Sequence, residues 1–342
     1  MVKSSPKDIV NKVALYIKDK LLIEKGDSIV VAVSGGADSI CLLNILLELK
    51  DKFKLDIKAC HYNHKLRGDE SDQDEIFVRN FCKDRGVELE VGCKPDEFII
   101  KNEMDARECR YSFFEKVFLK QGRVGAKIAL AHNLNDLSET FLMRLIRGSG
   151  LIGLSSILPQ RDFYIRPLLQ ISRNEIIDYL REKGCDYRQD SSNLDQKYLR
   201  NKIRHKILPD LRKINPNIDL AVSGAAMQIA EDYGFIGKEV SALFERIVKK
   251  ESEYLSISLG DWEKVDPVLK THLLHYSYHQ LLNPNDISRK QLEKIVQLIE
   301  NKVGKKFLPL PHSLRFEFKN GRIYMYQTSN LVKENNGQST QE

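Results

Sequence analysis

Short apolar runs of strand length recur along the first half of the chain: Ser28 to Val33, Leu55 to His61, Val87 to Val91 and Lys127 to His132. Between them, Ile40 to Leu49, Asp72 to Arg85 and Asp105 to Leu119 carry apolar residues at helical spacing. Buried strands alternating with helices predict a parallel sheet covered on both faces. The expected fold class is therefore α/β, with a doubly wound domain centred on residues 20 to 190. Beyond Arg166 the pattern turns helical, with Asn174 to Lys183 and Tyr198 to Leu208 clearest and Pro209 and Pro216 as stops. Asp219 to Lys249 and Arg289 to Asn301 read as further helices. Leu314 to Tyr326 alternates around Asn320-Gly321, the signal of a two-strand hairpin. The expected organisation is a domain over residues 1–215, a smaller α+β domain over 216–330, and a disordered polar tail over 331–342.

Composition narrows the class. The 342 residues are 42% hydrophobic and 8% aromatic, enough for two packed cores. No apolar run nears the roughly 18 residues of a membrane span. The opening MVKSSPKDIV lacks the apolar segment of a signal peptide, so a cytoplasmic protein without a membrane partner is expected. The six cysteines are spread out, the nearest two eleven positions apart, with no CxxC. Free thiols are the better reading than a zinc or disulfide framework.

The sharpest chemical signal is Ser34-Gly35-Gly36-Ala37-Asp38-Ser39, placed between a strand and a helix. Glycines there let backbone amides approach phosphate oxygens, and the helix N-terminus favours the negative charge. Ser34 and Ser39 add hydroxyls. Asp38 would repel phosphate unless a cation intervened, which makes it a candidate Mg²⁺ ligand. The alternative is a turn whose Ser and Asp only cap the helix. No GxxxxGK[ST] occurs, so the chemistry differs from that of P-loop NTPases. Gly148 to Gly153 matches GxGxxG but follows a helical pattern, and reads as a helix C-cap and turn.

A second constellation, His132 to Thr140, begins where the fourth strand ends, on the same presumed edge as the phosphate loop. His132, Asp136 and Glu139 there could position metal, substrate or protons. Alternatively, Asn135 only caps the helix, with acidic residues suiting its dipole.

These segments, with His61 to Gly68, Asp105 to Tyr111 and Arg144 to Leu154, resemble in order the N-terminal domain of the tRNA(Ile)-lysidine synthetase family, within the PP-loop ATP pyrophosphatase superfamily. The family's patterns are approximately SGGxDS, VNHxLR, AREARY, DDxxET and RLxRGSGxxGL. Arg166 to Leu169, Asp190 to Asn193 and Arg200 to Arg204 resemble its RPLL, DxSN and RNxIR elements. Asn133 and Asn135 depart from a His and an Asp often seen there, so a paired-Asp role does not carry over. The resemblance implies a ligase using ATP and Mg²⁺, with tRNA(Ile) of CAU anticodon and free L-lysine as partners. Ser34, Gly35, Gly36, Ala37, Asp38, Ser39 and His61 would bind nucleotide. Asp38, Arg110, His132, Asp136 and Glu139 would be catalytic. Arg147, Asn193, Arg200, Asn201, Arg204 and Lys206 would contact tRNA. The rivals are a tRNA thiolase of the same superfamily and a noncatalytic RNA-binding protein. A homodimer is compatible with the sequence, which does not itself give the oligomeric state.

Charge then acquires an address. The net +6 is a weak hint of an anionic partner. Lys197 to Lys213 holds seven Lys or Arg and one Asp. Without it, the chain's 54 basic and 48 acidic residues become 47 of each. Leu199, Ile203 and Ile207 define a packing face, and Arg200 with Arg204 and Lys202 with Lys206 would form rows turned away from it, suited to RNA phosphates. Read without the resemblance, the same pattern is a solvated helix face.

Overall fold

The structure is a computed structural model and describes residues 6–66, 68–94, 100–122, 125–188, 199–282, 287–301, 308–309 and 314–327. The expected tail and Asn193 lie outside the described residues. The chain divides into two compact units, Met1–Ile229 and Ala230–Glu342.

In the first unit, helix α1 (Pro6–Asp19) precedes β1 (Ser28–Ala32), α2 (Ala37–Phe53), β2 (Asp56–Asn63), α3 (Asp69–Asp84), β3 (Leu89–Cys93), α4 (Glu103–Gln121), β4 (Ala126–Ala129) and α5 (Leu134–Ile146). Then come α6 (Leu151–Leu154), the short strands β5 (Gln160–Arg161) and β6 (Tyr164–Ile165), and α7 (Arg173–Glu182). The sheet runs β3-β2-β1-β4-β6-β5 and is parallel except for the antiparallel β5 edge. Alternation along β1 explains the layers. Ile29, Val31 and Val33 enter a core with α1, α2, α3 and α7, whereas Val30 joins Ile128, Phe114 and Val117 in a core beneath α4. Both faces are thus buried, which is why the strands read as continuous apolar runs.

The expected strands and helices are present with ends moved by a few residues. The helix α1, whose buried Ile9, Val13, Tyr16 and Ile17 recur at helical spacing, and the β5–β6 hairpin were not among the expected elements. Arg147 ends α5, and Gly148 follows at φ +73° with its amide donating to Leu145 O, the C-cap and turn expected for that glycine.

The segment expected as one helix over 198–208 is split in the structure. Leu199–Lys202 (α8) passes through a π-helical stretch, Ile203–Ile207, into α9 (Leu208–Ile214). A π turn inserts extra backbone and shifts the angular spacing of the side chains that follow it. Pro209 falls at the start of α9, where its missing amide costs no hydrogen bond. Asn215-Pro216-Asn217 separates α9 from α10 (Ile218–Ile247), whose Val222 and Ala226 pack into the first core.

The second unit takes the C-terminal part of α10, then β7 (Val248–Lys250), β8 (Tyr254–Ser258), α11 (Leu259–Glu263), α12 (Pro267–Leu282), α13 (Arg289–Glu300), β9 (Leu308–Pro309), β10 (Leu314–Lys319) and β11 (Arg322–Gln327). Its antiparallel sheet is ordered β7-β8-β11-β10-β9. Leu255, Ile257, Phe316, Ile323 and Met325 pack with Trp262, Tyr278 and Ile295 in a separate core. Asn320 and Gly321 both have positive φ, the backbone that a tight two-residue hairpin demands. Among the described residues no helix is long and apolar enough to cross a membrane.

Candidate functional site

The order of strands places the site. From β1 the chain moves outward through β2 and β3, then returns to β4 on the other side of β1, so the carboxyl ends of β1 and β4 flank a topological switch point. The Ser34–Ser39 loop leaves β1 there and His132 follows β4.

The loop is held from inside. Ser39 Oγ accepts from the Ser34 amide at 3.1 Å and donates to Gly36 O at 2.9 Å, while Ser34 Oγ lies 3.2 Å from Ser39 Oγ. Gly35 sits at φ +88°, which disfavours any side chain, and its carbonyl accepts from the Arg188 amide at 2.9 Å. Arg188 is anchored in turn to Asp74 on α3 at 2.8 Å. Gly36 caps α2 without a side-chain hydrogen bond, so the first-turn amides of α2 are left facing outward, the arrangement that receives an anion.

Asp38 stands in the first turn of α2. Its carboxylate accepts from Asn133 Nδ2 at 3.0 Å and is ion-paired with Arg173. Burial raises its pKa, Arg173 and the Asn133 hydrogen bond oppose that, and the nearby Asp136 carboxylate reinforces it. Asn133, not Asn135, is the α5 N-cap. Its Oδ1 accepts from the Asp136 amide at 3.0 Å, and Asp136 Oδ2 accepts from the Asn133 amide at 3.1 Å. Asn135 Oδ1 instead accepts from the Arg173 amide at 2.8 Å.

Glu139 is 2% exposed and receives two guanidinium groups: Arg204 at 2.6 and 2.9 Å, and Arg200 at 3.0 Å. Arg200 also reaches Asp136 at 3.3 Å. The row of Arg200 and Arg204 therefore holds but faces α5, where the buried Glu139 carboxylate needs paired charge. Lys202, His205 and Lys206 remain exposed, and Asn201 is half-buried.

Three histidines line the same edge. His61 Nδ1 lies 2.8 Å from Val33 O, so Nδ1 carries the proton and the buried Nε2 is an acceptor with no partner among the described residues. Burial lowers the pKa of His61. His64 is lowered to about 4 by burial and by Arg110 and His61. His132 falls to about 3 through burial and the positive charges of Arg166, Arg107, Arg200 and Arg110. Arg110, half-buried on α4, thus lies within electrostatic reach of both His64 and His132. The histidines are neutral at pH 7. Arg147 is not brought to this cluster: it ends α5, roughly 16 Å along the helix from Asp136 at 1.5 Å per residue.

A PP-loop domain model matches residues 7–211. The tRNA(Ile)-lysidine synthase of Clostridium acetobutylicum is 35% identical over 314 residues, covering 90% of this chain and 68% of that protein. The chain belongs to the tRNA(Ile)-lysidine synthase family. The Clostridioides difficile tRNA(Ile)-lysidine synthase is 36% identical over 335 residues, covering 95% of this chain and 72% of its own length. Among solved structures, the U34-tRNA thiolase NcsA of Methanococcus maripaludis has a TM-score of 0.55 at 19% identity, covering 66% of this chain and 80% of that one. That likeness is one of fold alone.

Within the synthase family's pattern, the two asparagines that looked like departures both carry structure here. Asn133 joins α5 to the phosphate loop, and Asn135 holds the start of α7, from which Arg173 reaches Asp38. Arg173, Arg188 and Asn133 were not singled out as site residues by the sequence. Only Asn133 left a trace there, as an unusual residue in an otherwise matching motif. Asn133→Ala is expected to cost about 1 kcal/mol from the cap alone and to lower activity by releasing Asp38. Asn133→Asp should restore the cap but not the activity, since it sets a carboxylate against Asp38. Thermal unfolding and single-turnover AMP release separate the two effects.

Proposed function

We propose that this protein ligates lysine to C2 of the wobble cytidine of a tRNA(Ile) with a CAU anticodon, converting ATP to AMP and pyrophosphate. The observation that carries the reading is the Asn133–Asp38 hydrogen bond at the switch point. It joins a phosphate-binding loop to an acidic, histidine-lined cluster in one crevice, as a two-step reaction on a single adenylated base requires.

In the first step the cytosine O2 attacks the α-phosphorus and pyrophosphate leaves. The outward amides of α2 and the Ser34–Ser39 loop receive the phosphates. His61 Nε2, an acceptor without a partner among the described residues, suits an amino N–H such as that of adenine. Arg110 offsets charge developing on phosphate. In the second step the lysine ε-amine, having lost a proton, attacks C2 and AMP departs with the C2–O bond electrons. Asp136 is the carboxylate better placed to orient the ammonium, because it is 18% exposed against 2% for Glu139, although Arg200 reaches both. Neutral His132 leaves room for a cationic substrate that a protonated ring would repel.

Among the described residues no group of three or more His, Cys, Asp or Glu could hold a metal by itself. Asp136 nevertheless adds to the negative charge at Asp38, and one or two carboxylates completed by substrate phosphates is how Mg²⁺ is usually held. Mg²⁺ on Asp38 would neutralise phosphate charge. A cytoplasmic location is the reading that goes with such a reaction on tRNA.

The test is incubation with ATP, radiolabelled lysine and unmodified tRNA(Ile) transcript. Label entering the RNA only when ATP is present is the expected result. A preparation that binds tRNA and ATP yet transfers no label would overturn the reading.

A further inference from the structure

A second group of arginines, outside the residues already given a role, runs outward from His132. Arg107 lies on α4, Arg144 near the end of α5, Arg161 on β5 and Arg166 just after β6. They are graded from core to surface: Arg166 is 7% exposed, Arg144 half-buried, and Arg107 and Arg161 exposed. The two inner ones are satisfied by carbonyls. Arg144 Nη1 donates to Gly153 O at 2.7 Å and to Ser156 O at 3.0 Å. Arg166 Nη1 donates to Leu158 O at 2.9 Å, while its buried Nε has no hydrogen-bond partner among the described residues. Arg107 stacks over the Tyr111 ring and bonds its hydroxyl at 3.1 Å. Arg161 is loosely paired with its neighbour Asp162 at 3.7 Å.

Burying a guanidinium is unfavourable unless something opposes its charge. Here Arg107 and Arg161 add positive charge beside both inner arginines: burial and these two lower the pKa of Arg144, and at Arg166 burial is opposed by Tyr111 while Arg161 and Arg107 reinforce it. A fold that gathers four like charges, with Arg107 and Arg161 exposed at the outer end, is arranged for an anion there, and guanidinium groups match phosphate oxygens in pairs. Beside them Leu145, Ile146, Leu151 and Ile152 are 39 to 55% exposed, apolar surface of the kind that unstacked bases cover.

We infer that Arg107, Arg144, Arg161 and Arg166 form a track for RNA backbone phosphates, guiding a single-stranded loop into the crevice at His132. The track rests on the proposed function, and it is separate from the exposed Lys202 and Lys206. A nucleotide triphosphate shares the phosphate chemistry, but the α2 amides and the Ser34–Ser39 loop already serve that ligand on the β1 side.

The test uses the full chain with Arg107 and Arg161 both changed to Gln. Both are exposed, whereas Arg144 and Arg166 tie loop carbonyls and their loss would disturb folding. A matched control removes Lys50 and Lys52, exposed at the far end of α2. Filter binding of tRNA(Ile) transcript is measured between 50 and 200 mM KCl, and ATP binding separately by calorimetry. Two lost contacts to single-stranded phosphates should reduce the slope of log affinity against log salt by about 1.4. ATP affinity, and the slope of the lysine control, should match the wild type. An unchanged slope in the arginine variant overturns the track and leaves the proposed function standing. Weakened ATP binding with an unchanged slope also overturns it, in favour of a nucleotide site. Absence of tRNA binding by the wild type overturns the proposed function and the track with it.

Discussion

Asp38→Ala is expected to lower AMP formation at least about a thousandfold, the scale of removing a preorganised charge from a transition state, while leaving tRNA affinity within about twofold. Asp38 is where three elements meet: the phosphate loop that carries it, Asn133 at the head of α5, and Arg173 at the head of α7. Alanine removes the acceptor for both partners, and with it the negative charge available to a cation on the phosphates. The cost to folding should be modest. Arg173 is 44% exposed and can return to water, and Asn133 keeps its cap to the Asp136 amide. Loss of activity in a protein that still unfolds near the wild-type temperature is therefore expected. Asp38→Asn is the informative partner: it fills the same volume without the charge, and should be as inactive as alanine. Activity near wild type in either variant would remove Asp38 from the chemistry.

The second large effect is on stability. Arg200→Ala with Arg204→Ala should destabilise the first unit by about 3–5 kcal/mol, because Glu139 would be left as a buried, unpaired carboxylate. Glu139→Gln should cost less, about 1–3 kcal/mol, since it leaves unsatisfied donors but no buried charge. The asymmetry follows from exposure: Glu139 is at 2%, against 38% and 32% for the arginines, which can be rehydrated. Combining all three changes should restore part of the loss, the signature of a coupled network. Against a total stability of about 5–15 kcal/mol these are large fractions. The single tryptophan, Trp262, lies in the core of the second unit, so its fluorescence is the wrong probe. Far-UV circular dichroism and amide exchange along α5 report on the unit in question. If the double arginine variant unfolds like wild type but loses the salt dependence of tRNA binding, these arginines face RNA, as the bare sequence pattern suggested.

Much of the architecture could be read from local pattern. Strand runs buried on both faces and intervening helices are short-range signals, and they located β1 to β4 and α2 to α4. The phosphate loop was legible because Gly35 needs a backbone that few residues adopt and because its position between strand and helix is itself sequence-local. The Asn320-Gly321 hairpin was legible for the same reason. Less visible were β5 and β6, each two residues long, which exist through pairing of β6 to β4 and of β5 to β6 rather than through propensity. The β7–β8 hairpin and α12 likewise depend on the second core, and α12 has apolar residues all round rather than on one face.

By itself, then, the sequence determined which loops carry chemistry and in what order they come, since turn geometry and helix capping are decided within a few residues. Only the tertiary structure decided what those loops do to one another. The strand order set the ends of β1 and β4 side by side, which made Asn133 a partner of Asp38 across 95 positions. Packing against α5 set Arg200 and Arg204, still 38% and 32% exposed, onto Glu139. It converted part of a stripe that looked suited to RNA into the counter-charge of a buried carboxylate. Periodicity assigns a residue to a face of its own helix, but the energy of a charge depends on what the rest of the chain places against that face.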